Sequence, residues 1–249
     1  MPDFETDIVT PDGAMNTFVA HPEGDGPFPK IFMYMPSSGI RDELRDMARQ
    51  LAGYGYIVLL PNVYYRMVRV VDIDANRLFD DDYEPVKLFM NALNNGYTNT
   101  HSVSDTGAMI DYIDALPLAA KGPLGVVGYC MGGRLALAAI GAFPDRIDAM
   151  ASMYGGKLHT GQPDSPHLSA SRITGELYLG VAENDAYVAM DMNQRLCAHL
   201  DSIGVAYKMD IYSNTGHGFC FPKRYCYAPK ADARHWAAIT ELFGRRLRE

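Results

Sequence analysis

Leu124-Gly125-Val126-Val127-Gly128-Tyr129-Cys130-Met131-Gly132-Gly133-Arg134 leads from one short apolar run, through a glycine-bracketed cysteine, into a second apolar run, Leu135–Phe143. Leu124–Tyr129 has the length and character of a strand buried on both faces, and Leu135–Phe143 suits a buried helix. Between them, Gly128-x-Cys130-x-Gly132 has the G-x-S-x-G spacing of a nucleophile elbow, with Cys in the place of Ser. Glycine is needed on both sides because the strand-to-helix turn is so tight that a side chain there would meet neighbouring backbone. The residue between them is held in a strained conformation, with its side chain exposed at the carboxyl edge of the sheet. A cysteine so placed faces the N-terminus of the next helix, whose unpaired N–H groups and dipole favour the thiolate. Taken only for its hydropathy, Gly122 to Pro144 resembles a membrane span. Arg134 in its middle and the glycines at 125, 128, 132 and 133 argue instead for strand, turn and helix.

Further apolar runs of strand length flank this unit: Lys30–Met35, Tyr56–Leu60, Ala149–Tyr154, Leu177–Val181 and Tyr207–Tyr212. Helical periods separate them. Ile40, Leu44, Met47, Ala48 and Leu51 share one helix face that Gly53 closes; Met192, Leu196, Leu200 and Ile203 share another that Gly204 closes. A last helix carries Trp236, Ile239, Leu242 and Phe243. Strands alternating with helices imply an α/β fold with a mostly parallel central sheet and helices on both faces. No repeat, low-complexity tract or flexible linker divides the chain, so a single domain over 1–249 is expected. The stretch from Val63 to His101 holds an acidic cluster (Asp80, Asp81, Asp82, Glu84) and no clear strand. It reads as a helical excursion on the surface or as a lid or pocket wall.

The whole chain has 249 residues, 48% of them apolar and 21% charged, with a net charge of −8. Those proportions are ordinary for a folded globular protein and argue against disorder. The acidic balance argues against a nucleic-acid partner, which needs a basic footprint. The N-terminus is acidic and lacks an apolar core, so neither a secretory leader nor a transit peptide is expected, and the cytoplasm is the expected location. Four cysteines (Cys130, Cys197, Cys220 and Cys226) are too few and too scattered for a disulfide framework, and their spacing gives no zinc knuckle. No HExxH-type pair suggests a metal. Nothing selects an oligomeric state.

A nucleophile at such an elbow needs a base and an orienting acid, in chain order nucleophile, acid, base. After Leu177–Val181 comes Ala182-Glu183-Asn184-Asp185, a turn at the carboxyl end of a strand. Asp185 is the preferred acid, Glu183 is its rival, and an Asp there also suits a helix N-cap. After the next strand comes Ser213-Asn214-Thr215-Gly216-His217-Gly218-Phe219. His217 is the one histidine of seven that follows a strand lying beyond the candidate acid.

With these residues in view, the chain resembles the dienelactone hydrolase family of α/β-hydrolases. Gly128-Tyr129-Cys130-Met131-Gly132-Gly133 looks like the family's Cys elbow, Asn184-Asp185 and Gly216-His217-Gly218-Phe219 like its Asp and His segments. Leu60-Pro61-Asn62-Val63-Tyr64-Tyr65-Arg66 is similar to its P-x-L-Y-x-R segment, and Met35 to Gly39 to the loop after its third strand. The resemblance covers most of the chain from about residue 28 onward. It implies a Cys-His-Asp hydrolase of small-molecule esters or lactones, without metal or organic cofactor. Two positions depart from the family's pattern. Pro36 stands where the best-known members carry a Glu before the oxyanion loop, and Phe221 stands where they carry a substrate-binding Arg. Their second Arg has no clean match, which leaves Arg66, Arg69 and Arg224 either as cations able to meet a substrate, Arg66 foremost, or as surface and structural residues.

The expected reaction is hydrolysis of an ester, lactone or thioester through a thioester on Cys130. His217 serves as base and Asp185 fixes its tautomer. The backbone N–H groups of Ser37 and Met131 are the expected oxyanion hole. Two alternatives stay open on the residues: a non-catalytic small-molecule binding protein of the same fold, and a redox sensor in which Cys220 resolves an oxidised Cys130.

Overall fold

The six apolar runs are strands, and two more strands precede them. In the computed structural model, which describes residues 1–79 and 81–248, the strands are β1 (Asp3–Thr10), β2 (Gly13–Ala20), β3 (Phe28–Tyr34), β4 (Ile57–Pro61), β5 (Ala119–Tyr129), β6 (Ile147–Met153), β7 (Glu176–Ala182) and β8 (Tyr207–Tyr212). They form one sheet in the order β1-β2-β4-β3-β5-β6-β7-β8. Every pairing from β4 through β8 is parallel, while β2 runs antiparallel to both β1 and β4. The sheet is therefore mostly parallel, as the alternation of elements predicts. The antiparallel hairpin at its edge is an addition to that reading. Asp80, one of the acidic cluster, lies outside the described residues.

The central strands read as unbroken apolar runs because both of their faces are covered. Ile31 to Met35 and Ile57 to Leu60 have no solvent exposure at all. The described residues form α1 (Asp42–Gly53), α2 (Glu84–Gly96), α3 (Asn99–Asp114), α4 (Met131–Ala142), α5 (Met190–Ile203) and α6 (Pro229–Leu247), of which α1, α3, α4 and α6 pack on the strands. Which face each helix takes follows from β5, where successive side chains alternate. A Cβ on Gly125 would meet Phe243 and Leu247 of α6, and Tyr129, four residues on, bonds His235 of α6 at 3.0 Å. Gly128, of opposite parity, faces α4. On the α6 side lies α1, whose C-terminal Tyr54 packs on Trp236. On the α4 side lie α3 and the 3₁₀ turn Pro166–Arg172, with α5 against that turn.

The expected helices match α1, α4, α5 and α6, and Gly204 closes α5 in the left-handed conformation with φ +71°. The Val63–His101 stretch contains two short 3₁₀ turns, Ala75–Phe79 and Asp81–Tyr83, then α2 and the start of α3. The long apolar stretch around Cys130 is strand, turn and helix. Among the described residues no helix is long and apolar enough to cross a membrane.

Candidate active site

β5 delivers the candidate nucleophile. Cys130 sits between β5 and α4 with φ 55° and ψ −115°, a backbone conformation costly for a side-chain-bearing residue. Its surroundings hold it there. Cys130 N–H donates to Met153 O at 3.1 Å, and Cys130 O accepts from Gly133 N–H at 3.1 Å and Gly156 N–H at 3.3 Å. The two flanking glycines are sterically required: a Cβ on Gly128 would fall well inside contact distance of the Gly132 carbonyl, and one on Gly132 inside that of Tyr34.

β7 and β8 deliver the candidate acid and base. Their pairing continues past the sheet, as Glu183 N–H donates to Tyr212 O at 3.2 Å and Asn184 N–H to Thr215 O at 2.9 Å. The two loops are thereby fixed to each other. His217 Nδ1 lies 2.8 Å from Asp185 Oδ2 and 3.0 Å from Oδ1, with both side chains almost fully buried. Asp185 Oδ1 also accepts from the N–H groups of Tyr187 (2.8 Å) and Val188 (3.0 Å), so the carboxylate cannot swing away. With Nδ1 facing a carboxylate, the tautomer that donates from Nδ1 leaves Nε2 free to take a proton. Glu183, the rival acid, is used elsewhere, accepting from Asn214 N–H at 2.7 Å.

The Cys130 thiol is the neighbour that His217 Nε2 meets. Nε2 is buried and has no partner at full hydrogen-bond geometry. The contact to sulfur is therefore looser than a formed bond, as in many catalytic pairs before substrate arrives. The two groups shift each other. Burial opposes a charge on His217, but the Cys130 thiolate and then Asp185 outweigh it and hold the imidazolium up to about 10. Burial also opposes the Cys130 thiolate, and is outweighed by the His217 cation and by backbone N–H groups of Met131 and Ser37, so the thiol is pushed down. Those two N–H groups, from α4 and from the loop after β3, are the pair expected from the sequence, and both reach the sulfur. The imidazole lies between Tyr154 and Tyr187, each with its ring centroid 4.9 Å away.

These groups open on a cavity of about 660 Å³. Pro36 and Ser37 line one side, and Tyr154, Tyr187 and Val188 another. Residues of α2 (Lys87, Met90, Asn91 and Asn94) close a third. Tyr154 went unread in the sequence; the signal available was its place before two glycines at the end of β6, where it takes φ 40°.

Arg66, the cation foremost for substrate binding, is not among the residues lining this cavity. It is engaged instead by Asp105 (2.8 and 2.7 Å) and Asp12 (2.9 and 2.6 Å), four hydrogen bonds that tie it into the scaffold. Arg69 pairs with Asp7. Arg224, the third cation, does line the cavity. Phe221 is buried against Tyr129 and Tyr154, with Arg41 over its ring. Cys197 lies in α5 beside Met209, and Cys220 turns its thiol to the Tyr154 hydroxyl at 2.9 Å, where burial pushes it well up.

A family model described as the dienelactone hydrolase family matches residues 15–247. A Synechocystis sp. protein provisionally named a carboxymethylenebutenolidase is 25% identical over 235 residues, covering 93% of this chain and 92% of its own. Carboxymethylenebutenolidase 1 of Cupriavidus pinatubonensis is 28% identical over 124 residues, half of each chain. Among solved structures, a Klebsiella pneumoniae protein provisionally described as a dienelactone hydrolase superposes with a TM-score of 0.84 over 98% of both chains. At 20% identity that last likeness is one of fold, the α/β-hydrolase fold.

Proposed function

The chain belongs to the dienelactone hydrolase family, and from that premise we propose that it is a carboxylic-ester hydrolase cleaving a small ester, lactone or thioester through Cys130, His217 and Asp185. The observation that carries this reading is the Asp185–His217 hydrogen bond beside a cysteine whose thiol, against burial, is pushed down by the histidine and by two backbone N–H groups.

In this mechanism the resting pair is thiolate and imidazolium. The Cys130 thiolate attacks the acyl carbon, and the carbonyl oxygen becomes an oxyanion bound by Ser37 N–H and Met131 N–H. Loss of one such donor typically raises a barrier by about 3–4 kcal/mol. Pro36 has no N–H of its own to offer and sets the direction of its successor. As the tetrahedral intermediate collapses, His217 gives its Nε2 proton to the departing oxygen or sulfur, leaving a thioester on Cys130. Water then enters, His217 removes its proton, and the second collapse releases the acid and restores the thiolate. Asp185 keeps the imidazole in one orientation and stabilises its charged form throughout. The relatives' names make a carboxymethylenebutenolidase-type lactonase activity the first to test. In the same reading the Val63–His101 stretch is a pocket wall, since α2 contributes cavity residues.

The test is a panel of esters, lactones and thioesters followed by intact mass. Turnover together with an acyl adduct confined to Cys130 is the expected result. Asp185→Asn should fold normally and lose roughly 10⁴-fold in kcat, since its tautomer is wrong. Full esterase activity in Cys130→Ala would end the proposal.

A further inference from the structure

Tyr154 stands where a tyrosine is costly. It is the first residue after β6, its φ of 40° lies in the left-handed region, and glycines fill the next two positions. A bulky residue held there is strained, and such strain gathers at functional sites. Glycine would take that conformation freely. What the tyrosine adds must therefore come from its side chain, which is only 2% exposed.

The segment 153–156 meets both members of the reacting pair. Its backbone fixes Cys130: Met153 O accepts from Cys130 N–H at 3.1 Å, and Gly156 N–H donates to Cys130 O at 3.3 Å. Its Tyr154 ring packs on the His217 imidazole, with centroids 4.9 Å apart and planes at 59°. Behind that ring stand Phe219 at 5.5 Å, Phe221 at 6.2 Å and Tyr129 at 6.3 Å. The Tyr154 hydroxyl meets the thiol of Cys220, which is buried and kept protonated by that burial, at 2.9 Å. His217 needs such a hold. Asp185 fixes Nδ1, but Nε2 has no partner at full hydrogen-bond geometry. A ring tethered at one nitrogen can still pivot about that bond, so packing has to aim Nε2 at the sulfur. Of the two tyrosines against the imidazole, Tyr187 is 54% exposed, which leaves Tyr154 as the fixed wall.

We propose that Tyr154 is a positioning residue whose ring holds the His217 imidazole toward Cys130, and that Cys220 anchors this ring through its hydroxyl. This deepens the hydrolase reading above and rests on it. One short segment then sets both the nucleophile, through its backbone, and the base, through its aromatic side chain. Cys220, which the mechanism does not otherwise use, serves as an anchor and not as a thiol that resolves an oxidised Cys130.

The test reads kcat and KM with 4-nitrophenyl acetate, and separately the pH midpoint of Cys130 alkylation by iodoacetamide, followed by peptide mass without any ester present. Tyr154→Leu should lose about 10- to 100-fold in kcat with little change in KM, the scale of a misaimed group. Its alkylation midpoint should move up, because the thiolate loses an aimed cation. Tyr154→Phe keeps the ring and should recover most of both, falling short in kcat by about 2- to 10-fold for the lost hydrogen bond. Cys220→Ala should match Tyr154→Phe, the double variant should be no worse than either, and Cys220→Ser should restore kcat. The proposal is overturned if Tyr154→Leu keeps the wild-type kcat and midpoint, or if Tyr154→Phe is as impaired as Tyr154→Leu. A loss confined to KM overturns it in favour of a substrate contact. Additive losses in the double variant, or a Cys130–Cys220 disulfide after peroxide treatment, overturn the anchoring role of Cys220. Should Tyr154→Leu not fold, Tyr154→Phe, Cys220→Ala and their double variant still decide. If the wild type turns over no ester, the hydrolase reading falls, while the midpoints still show whether Tyr154 aims His217.

Discussion

Cys130 meets two demands that conflict in most cysteines: it is partly buried, which favours the neutral thiol, and it faces a cation and two N–H groups, which favour the anion. The second set prevails, and its thiol titrates below the ordinary value of 9.0. The sign of the consequence is fixed: thiolate persists at pH values where a free cysteine is protonated. The rate of alkylation by iodoacetamide should therefore rise with a midpoint below 9.0 in the wild type. In His217→Asn, which removes the largest opposing influence to burial, that midpoint should move up. An unchanged midpoint would mean that the histidine does not act on the thiol. At this scale the sequence was informative wherever a residue's role depends on its own loop. The candidate nucleophile, acid and base each follow a strand and lie next to turn residues. Arg66 stays open between substrate and scaffold in the sequence because its partners, Asp12 and Asp105, are distant in the chain and nothing local announces them.

The element that bears most on the site is the β5–α4 turn, and its tolerance is set by backbone, not by flexible side chains. Gly132→Ala would place a methyl group against the Tyr34 carbonyl of β3, which is locked in the sheet on both sides. Unfolding in urea should show a loss of about 3 kcal/mol, and residual activity should fall further than stability, because Met131 N–H moves with the turn. Elements were legible from sequence where burial is complete. β1 and β2 were not, because β1 alternates acids with half-buried residues at the sheet edge (DFETDIVT) and lacks the continuous apolar run of the inner strands. α3 also escaped notice. Its buried face includes Asn99, Ser102, Asp105 and Thr106 alongside Met109, Ile110 and Ile113, so no simple apolar stripe marks it.

Across the whole molecule, Arg66 joins three regions far apart in the chain: the β1–β2 turn through Asp12, α3 through Asp105, and the segment after β4 that carries it. Asp105 is 1% exposed and also accepts hydrogen bonds from Tyr65 and Tyr97. Arg66→Ala would leave that carboxylate buried without its cation, a loss of about 3–5 kcal/mol. A calorimetric Tm should fall accordingly, while kcat/KM of the protein still folded stays near wild type. A large rise in KM with unchanged Tm would instead return Arg66 to the substrate.

The wall formed by α2 has a different standing from everything around it. Its main packing partners are the two short turns just before it, whereas α1, α3, α4 and α6 all pack on strands of the sheet. The candidate nucleophile, base, acid and N–H donors follow β5, β8, β7 and β3. The segment is thus an exchangeable panel bolted to the rim of a fixed machine. A lineage could lengthen, shorten or replace it, and so redraw the list of compounds admitted, while the chemistry beneath went on unaltered.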